Sequence, residues 1–301
     1  MKLLKKVSVT AGLVTMLAFA AACGKDGAAS AVQQEQSSAA AEAQKEMTPQ
    51  ERYEAMSALQ ENVTSMDARV IVDMDMTLAG QNVKSVTDMR MTSFVEPFKT
   101  RMEMNIDMGD LGTESSQVYI EVTEDNKGMI YMYDGTSWTS QEEPALGVLM
   151  EQYDARSSVG AYVEGLSDLA EAGREQINGR ETVKLTGAVK GEELKQSILE
   201  TGSLESLQGL FDQEQISSLF DGLENENSYV ELWVDAETNE MVKYTQDMTG
   251  VMNKLYENIS ALLPEMEGYE MEMSVGKMVV TIEDLVFDNV EDFEIPAEAK
   301  Q

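Results

Sequence analysis

The side chains able to do chemistry in this chain are defined first by what is missing. Among 301 residues there is no histidine and a single cysteine. An imidazole base, a His-based triad and a zinc site of the usual ligands are therefore out of reach. Carboxylates are abundant, 55 Asp and Glu in all, so that two acids close in sequence carry little information. The stretch Asp235-x-Glu237-x-Asn239 begins like a calcium loop but has Glu240 where the sixth position needs glycine and Gln246 where the twelfth needs glutamate; it reads as a hairpin turn. The chain is expected to be no enzyme and to hold no cofactor.

What remains is sulfur. Of the 22 methionines, eight form the pairs Met74/Met76, Met89/Met91, Met102/Met104 and Met271/Met273. Residues two apart on a strand share a face at about 7 Å. Thioethers are soft ligands of the kind that select Cu(I), so one chemistry open to these pairs is Cu(I) binding, the least favoured of three readings. The second makes them core filler, since methionine adapts to irregular gaps. The third makes them the wall of an apolar pocket, because flexible methionine surfaces re-pack around varied partners where Val and Ile would fix one shape. In this reading Met74, Met76, Met89, Met91, Met102, Met104, Ile106, Met108, Met132, Met271 and Met273 line a binding cavity.

The elements that must position these residues follow from periodicity. Lys99 to Gly109, KTRMEMNIDMG, alternates with Met102, Met104, Ile106 and Met108 on one side and charged or polar residues on the other, the pattern of a half-buried strand. Thr48-Pro49-Gln50-Glu51 joins an N-cap, a first-position proline and a capping-box glutamate. The helix that it opens is expected to reach about Met66, burying Tyr53, Met56, Leu59 and Val63. A strand meander follows from Arg69 to Ser140, with turns near Gly80, Gly109, Asp125 and Asp134. A helical middle comes next: one helix after Pro144 carrying Leu146, Leu149, Met150 and Tyr153, another near Tyr162 to Ala172, and one from Glu192 to Gly202. Two short helices then start at Ser203 and Asp212. A hairpin at Asn178-Gly179 interrupts them. The last third returns to strands, with a helix around Met252 to Leu263 and a closing segment FEIPAEAK read as the final strand. Ten to twelve strands bracketing helices make one α+β domain.

The first residues are read as an export signal. MKLLKKVSVTAGLVTMLAFAAAC has basic Lys2, Lys5 and Lys6, an apolar run from Val7 to Ala22 too short to span a membrane as a helix, and then Cys23-Gly24. This resembles a lipobox with Cys23 as the acylated N-terminus, although Ala20 stands where leucine is usual. Residues 1–22 are then a signal peptide and 23–47, rich in Ala, Gln, Ser and Glu, a flexible tether. Residues 48–301 are the folded domain. The expected location is the outer face of the cell membrane, held by the lipid. The net charge of −33 becomes −36 without the three signal lysines, which disfavours nucleic acid and anionic surfaces as partners. No protein partner can be named from the sequence.

Taken in order, the acylated cysteine, the polar tether, the opening helix, the meander ending in MIYMYDGTSWTS, the helical middle, the hairpin VELWVDAETNEMVKYTQDM around Trp233, Asp235 and Asn239, and the terminal FEIPAEA resemble the LolA/LppX/LprG-like lipoproteins, most of all uncharacterised Gram-positive ones. The resemblance implies a curved antiparallel half-barrel sheet with helices covering the concave face, and an apolar cavity that carries acyl chains in some members. It brings no catalytic residues. The expected function is binding or carrying a lipid or other hydrophobic molecule, with Leu207, Phe211, Leu219 and Phe220 on a movable cover. The alternative is an envelope sensor or interaction module whose interior is filled by its own side chains.

Overall fold

The computed structural model describes residues 47–60, 62–78, 80–123, 125, 127–143, 165–200, 213–262 and 273–301. The expectations for the signal segment, Cys23 and the tether, for the helix after Pro144, for Gly202, Ser203, Leu207 and Phe211, and for Met271 lie outside the described residues.

Helix α1, Pro49–Gln60, starts as its sequence dictates. Thr48 Oγ1 accepts from the Glu51 amide at 3.2 Å while Glu51 Oε2 accepts from the Thr48 amide at 2.8 Å, so two helix-end donors are satisfied reciprocally. The helix stops at Gln60, earlier than the expected Met66, which instead belongs to strand β1, Ser65–Leu78. A competing set of bonds accounts for the early stop. The Thr64 amide and hydroxyl both donate to Asp288 Oδ1, at 2.7 and 2.8 Å, and the Thr64 carbonyl accepts from Val95, which commits this stretch to the sheet. Met56 and Val63 are buried as expected, but Leu59 is 46% exposed.

Ten further strands follow: β2 Gln81–Phe94, β3 Lys99–Asp107, β4 Thr113–Val122, β5 Gly128–Tyr133, β6 Trp138–Glu143, β7 Leu166–Ile177, β8 Arg180–Lys190, β9 Asn227–Asp235, β10 Met241–Asp247 and β11 Met273–Phe287. All are antiparallel neighbours in one open, curled sheet of order β6-β5-β4-β3-β2-β1-β11-β10-β9-β8-β7. Two meanders, β1 to β6 and β7 to β11, therefore meet at a single central seam. There β1 runs against β11 from Met66↔Phe287 to Leu78↔Met273.

Two expectations for the sheet are corrected. Leu166–Ile177, which overlaps the helix expected near Tyr162 to Ala172, is strand β7. Its Ala, Leu and Glu favour helix, but Asp168 and Gly173 sit at φ 58° and 125°, and the register against β8 shifts beside both. Cross-strand bonding to β8 thus overrides local propensity at a bulged edge. The Asn178-Gly179 turn joins β7 to β8 with both residues at positive φ, 51° and 81°, as a two-residue hairpin requires. The closing FEIPAEAK forms no strand. Phe293 and Ala299 instead pack with Tyr119 and Tyr131 on the outside of β4 and β5, and Pro296 fits the irregular path because it lacks an amide to pair.

The described helices after β8 are α2 (Gly191–Glu200), α3 (Gln213–Ser218) and α4 (Thr249–Leu262). Helix α4 is tied to β11 by its own polar side chains. Thr249 Oγ1 accepts from the Met278 amide and Asn253 Oδ1 from the Val275 amide, each at 2.9 Å. Asn258 Nδ2 reaches the carbonyls of Leu219 and Asp221, both at 2.9 Å, and so closes the C-terminal end of α3 against α4.

Candidate ligand-binding face

Alternation gives the sheet two unlike faces. On one, charged residues pair across strands: Arg69 with Asp88 at 2.7 Å and Glu283 at 3.3 Å, Lys84 with Asp75 at 3.2 Å, and Lys184 with Glu231 at 2.8 Å. The hydrogen bond from Arg69 holds the Asp88 carboxyl below its usual range. Trp233 lies on this face with Lys184 and Lys243 at 4.7 and 5.4 Å from its ring and its indole N–H donated to Glu175. A cleft of about 240 Å³ beside it is lined chiefly by charged groups, Glu175, Lys243, Glu283 and Asp284 among them.

The other face is apolar, and register assembles it in rows. Val70 stands opposite Met89, Met89 opposite Met104, and Met104 opposite Ser116. One row over run Ala68, Met91, Met102, Val118 and Met132. On the far side of the first row run Val72, Thr87 and Ile106. Met74 faces both Ser85 and Met278, Met76 faces Val83, and Met273 faces Leu78. The structure therefore brings Met74, Met76, Met89, Met91, Met102, Met104, Ile106, Met132 and Met273 onto one face, with Met108 just beyond the end of β3.

Burial divides that face. Over β8 to β10, Val183, Leu185, Val230, Leu232, Val234 and Tyr244 are at most 1% exposed. They cluster with Met56 of α1 and with Met252 and Tyr256 of α4. Burial raises the pKa of Tyr244, whose hydroxyl donates to Gln246 Oε1 at 2.9 Å. Over β2 to β5 the packing is incomplete. Met89 is buried, Met91, Met102, Met104, Ile106, Ile120 and Ile130 are half-buried, and Met132 is 40% exposed. Leu219 and Phe220 are buried in a separate cluster with Ile216, Leu223 and Val251.

Val118, Ile120 and Ile130 belong to the same apolar face but were not singled out in the sequence. Their alternation within SQVYIEVT and GMIYMY carried the signal; choosing the face needed the register with β3. The turn at Asp235 is structural. Asp235 Oδ1 accepts from the Glu237 and Thr238 amides, and Oδ2 pairs with Arg180 at 2.6 Å. Burial alone would raise the Asp235 carboxyl, yet the Thr238 amide, Arg180 and the Glu237 amide hold it down at about 2. Asn239 Oδ1 accepts from buried Arg52 at 2.9 Å, which fixes α1 to this hairpin. Among the described residues, no group of three or more His, Cys, Asp or Glu is placed to hold a metal ion, and no helix is long and apolar enough to cross a membrane.

An incompletely packed apolar face on an open antiparallel sheet defines the class of protein only as far as its fold. The chain belongs to a family of unknown function, DUF6612, whose model matches residues 33–301. Among solved structures it is similar to LprF from Mycobacterium bovis, at 14% identity over 83% of this chain and 97% of that one, with a TM-score of 0.44. It is also similar to the Mycobacterium tuberculosis lipoprotein LppX, at 12% identity over 81% and 96%, with a TM-score of 0.40. A LolA superfamily protein from Nitrosomonas europaea is 9% identical over 81% and 96%, with a TM-score of 0.25. No curated protein matches the chain.

Proposed function

We propose that this is a non-enzymatic, extracytoplasmic lipoprotein, anchored by acylated Cys23 and the tether 24–47. Its domain, 48–301, binds or carries a hydrophobic molecule on the methionine-rich half of its apolar face. In this reading the helices cover the concave side of a half-barrel. The observation that supports it is the division of burial: the β8 to β10 half is packed solid by the chain's own side chains, while the half built of β2 to β5 leaves methionines and isoleucines partly uncovered. Each methylene that a ligand buries there contributes about 0.8 kcal/mol, so an acyl chain needs no charged anchor to be held.

Leu207, Phe211, Leu219 and Phe220 act as a movable cover in this proposal. Opening would detach Leu219 and Phe220 from Val251 and break the Asn258 bonds to the Leu219 and Asp221 carbonyls just past α3, so hydrogen exchange in α3 should be faster than in the central strands β1 and β11. Uptake of a fluorescent fatty acid by the full chain tests the assignment of the face. Met104→Glu and Met74→Glu place an unpaired carboxylate there and should each weaken uptake at least tenfold. Uptake equal to that of the unaltered chain in both variants rejects the lining. The packed β8 to β10 half favours the second reading, a tethered interaction module, and no uptake by the unaltered chain would leave that one standing.

A further inference from the structure

We propose that Met89, Met91, Met102 and Met104 form a thioether site for a soft monovalent cation, Cu(I) or its non-redox analogue Ag(I). The sequence offers only isolated Met-x-Met pairs; the register between β2 and β3 turns two of them into a square, Met89 opposite Met104 and Met91 opposite Met102. Directly opposed residues have Cβ atoms about 4.5 to 5.5 Å apart, and successive same-face residues lie about 7 Å apart. Methionine's flexible side chain can bring its sulfur toward the centre of such a square. Among the described residues these are the only two cross-strand Met–Met pairs that adjoin; the third, Met74 with Met278, stands apart.

The surroundings set the selectivity. On the same face the square is bordered by Ala68 and Val70 on β1, Thr87 and Ser93 along β2, Thr100 and Ile106 along β3, and Ser116 and Val118 on β4. None of these carries a charge, so a hard cation such as Mg²⁺ or Ca²⁺ finds no carboxylate, whereas a soft one finds four neutral sulfur donors. Met91, Met102 and Met104 are half-buried, which leaves the square a route for entry. With no histidine in the chain and its one cysteine outside this domain, thioether is the soft ligand the domain has to offer. The acidic net charge of −33 raises the local concentration of any cation near the surface.

The test is an anaerobic titration of the full chain with Cu(I), supplied as its acetonitrile complex, against a chromogenic Cu(I) chelator. The unaltered chain should withdraw one equivalent from the chelator. Met91→Leu/Met102→Leu should lower the affinity at least tenfold, and replacement of all four methionines by leucine should abolish binding. Met129→Leu, on the opposite face of β5, should change nothing. Leucine is close to methionine in volume and keeps the face apolar, so the variants should unfold in urea at the same midpoint as the unaltered chain. Loss of copper binding at an unchanged unfolding midpoint therefore comes from the missing sulfurs and not from a failed fold. X-ray absorption of the unaltered chain with Cu(I) should show sulfur ligands alone, a readout that needs no variant to fold. Copper left entirely with the chelator, a four-leucine variant that binds like the original, or nitrogen and oxygen ligands in the absorption spectrum would each overturn the proposal.

Discussion

The Asp235–Arg180 pair in the β9–β10 turn sets a specific pH dependence. Asp235 titrates at about 2 in the folded chain against an ordinary 3.8. At ~1.36 kcal/mol per unit, that gap corresponds to roughly 2 kcal/mol of stability at neutral pH. The Asp235 side chain is only 10% exposed and that of Arg180 33%, so solvent screening removes little of it. Because the folded value lies below the unfolded one, the contribution is complete above about pH 4 and disappears as the pH falls through about 2. Asp235→Asn keeps a carbonyl oxygen for the Glu237 and Thr238 amides and removes the charge facing Arg180. It should therefore cost roughly 1 to 2 kcal/mol at pH 7. Urea unfolding of both chains at pH 7, 5, 3 and 2 measures the difference. The gap should narrow below pH 4 and nearly close by pH 2. A gap that stays constant over that range would show that shape, not charge, matters at this turn, and no gap at pH 7 would refute the role of the pair.

Three further outcomes follow from the packing. Phe293→Ala should cost roughly 3 kcal/mol in chemical denaturation, because the ring is buried, meets Phe94 at a tilt and Tyr119 edge-on with centroids 5.9 Å away, and lies beneath Lys99 and Arg101; an unchanged midpoint would mean that the C-terminal segment is not held on β3 to β5. Gly191→Ala should destabilise by about 3 kcal/mol or more, since the added Cβ would lie 1.8 Å from the Leu223 carbonyl oxygen, a backbone atom that cannot swing aside; native-like thermal unfolding of this variant would contradict the close approach of α2 to that turn. Tyr244→Phe leaves the buried Gln246 carbonyl without its hydroxyl donor and should cost about 1 to 3 kcal/mol by thermal unfolding; a stability equal to that of the unaltered chain would mean that the bond contributes nothing.

What the sequence made legible were features set by neighbours a few residues apart. The capping box at Thr48, the Asn178-Gly179 turn and the alternation of KTRMEMNIDMG each survive in the structure, because a cap, a two-residue turn and a half-buried strand are specified locally. Where a partner strand, near or far in sequence, decides the state of a segment, the segment's own composition misleads. The stretch around Leu169 to Ala172 has the composition of a helix but becomes strand because β8 offers it hydrogen bonds, and Met66 leaves the helix for a sheet whose partner strand β11 is more than two hundred residues on. FEIPAEAK reads as a strand only while the aromatic recess formed by Phe94, Tyr119 and Tyr131 is unknown. The candidate face shows the same split. That the methionines share faces within each strand was legible, but their assembly into rows, and the solid packing of the β8 to β10 half by Met56 and Met252, depended on register and on helix placement that no single segment encodes.

Ligand carriage by the methionine-rich face is tested most directly by native mass spectrometry of the full chain as purified from the cells that make it. A population carrying a non-covalent adduct of lipid mass is expected, lost on gentle activation and strongly reduced in Met104→Glu. A bare polypeptide mass, unchanged after incubation with an excess of lipid, would contradict ligand carriage.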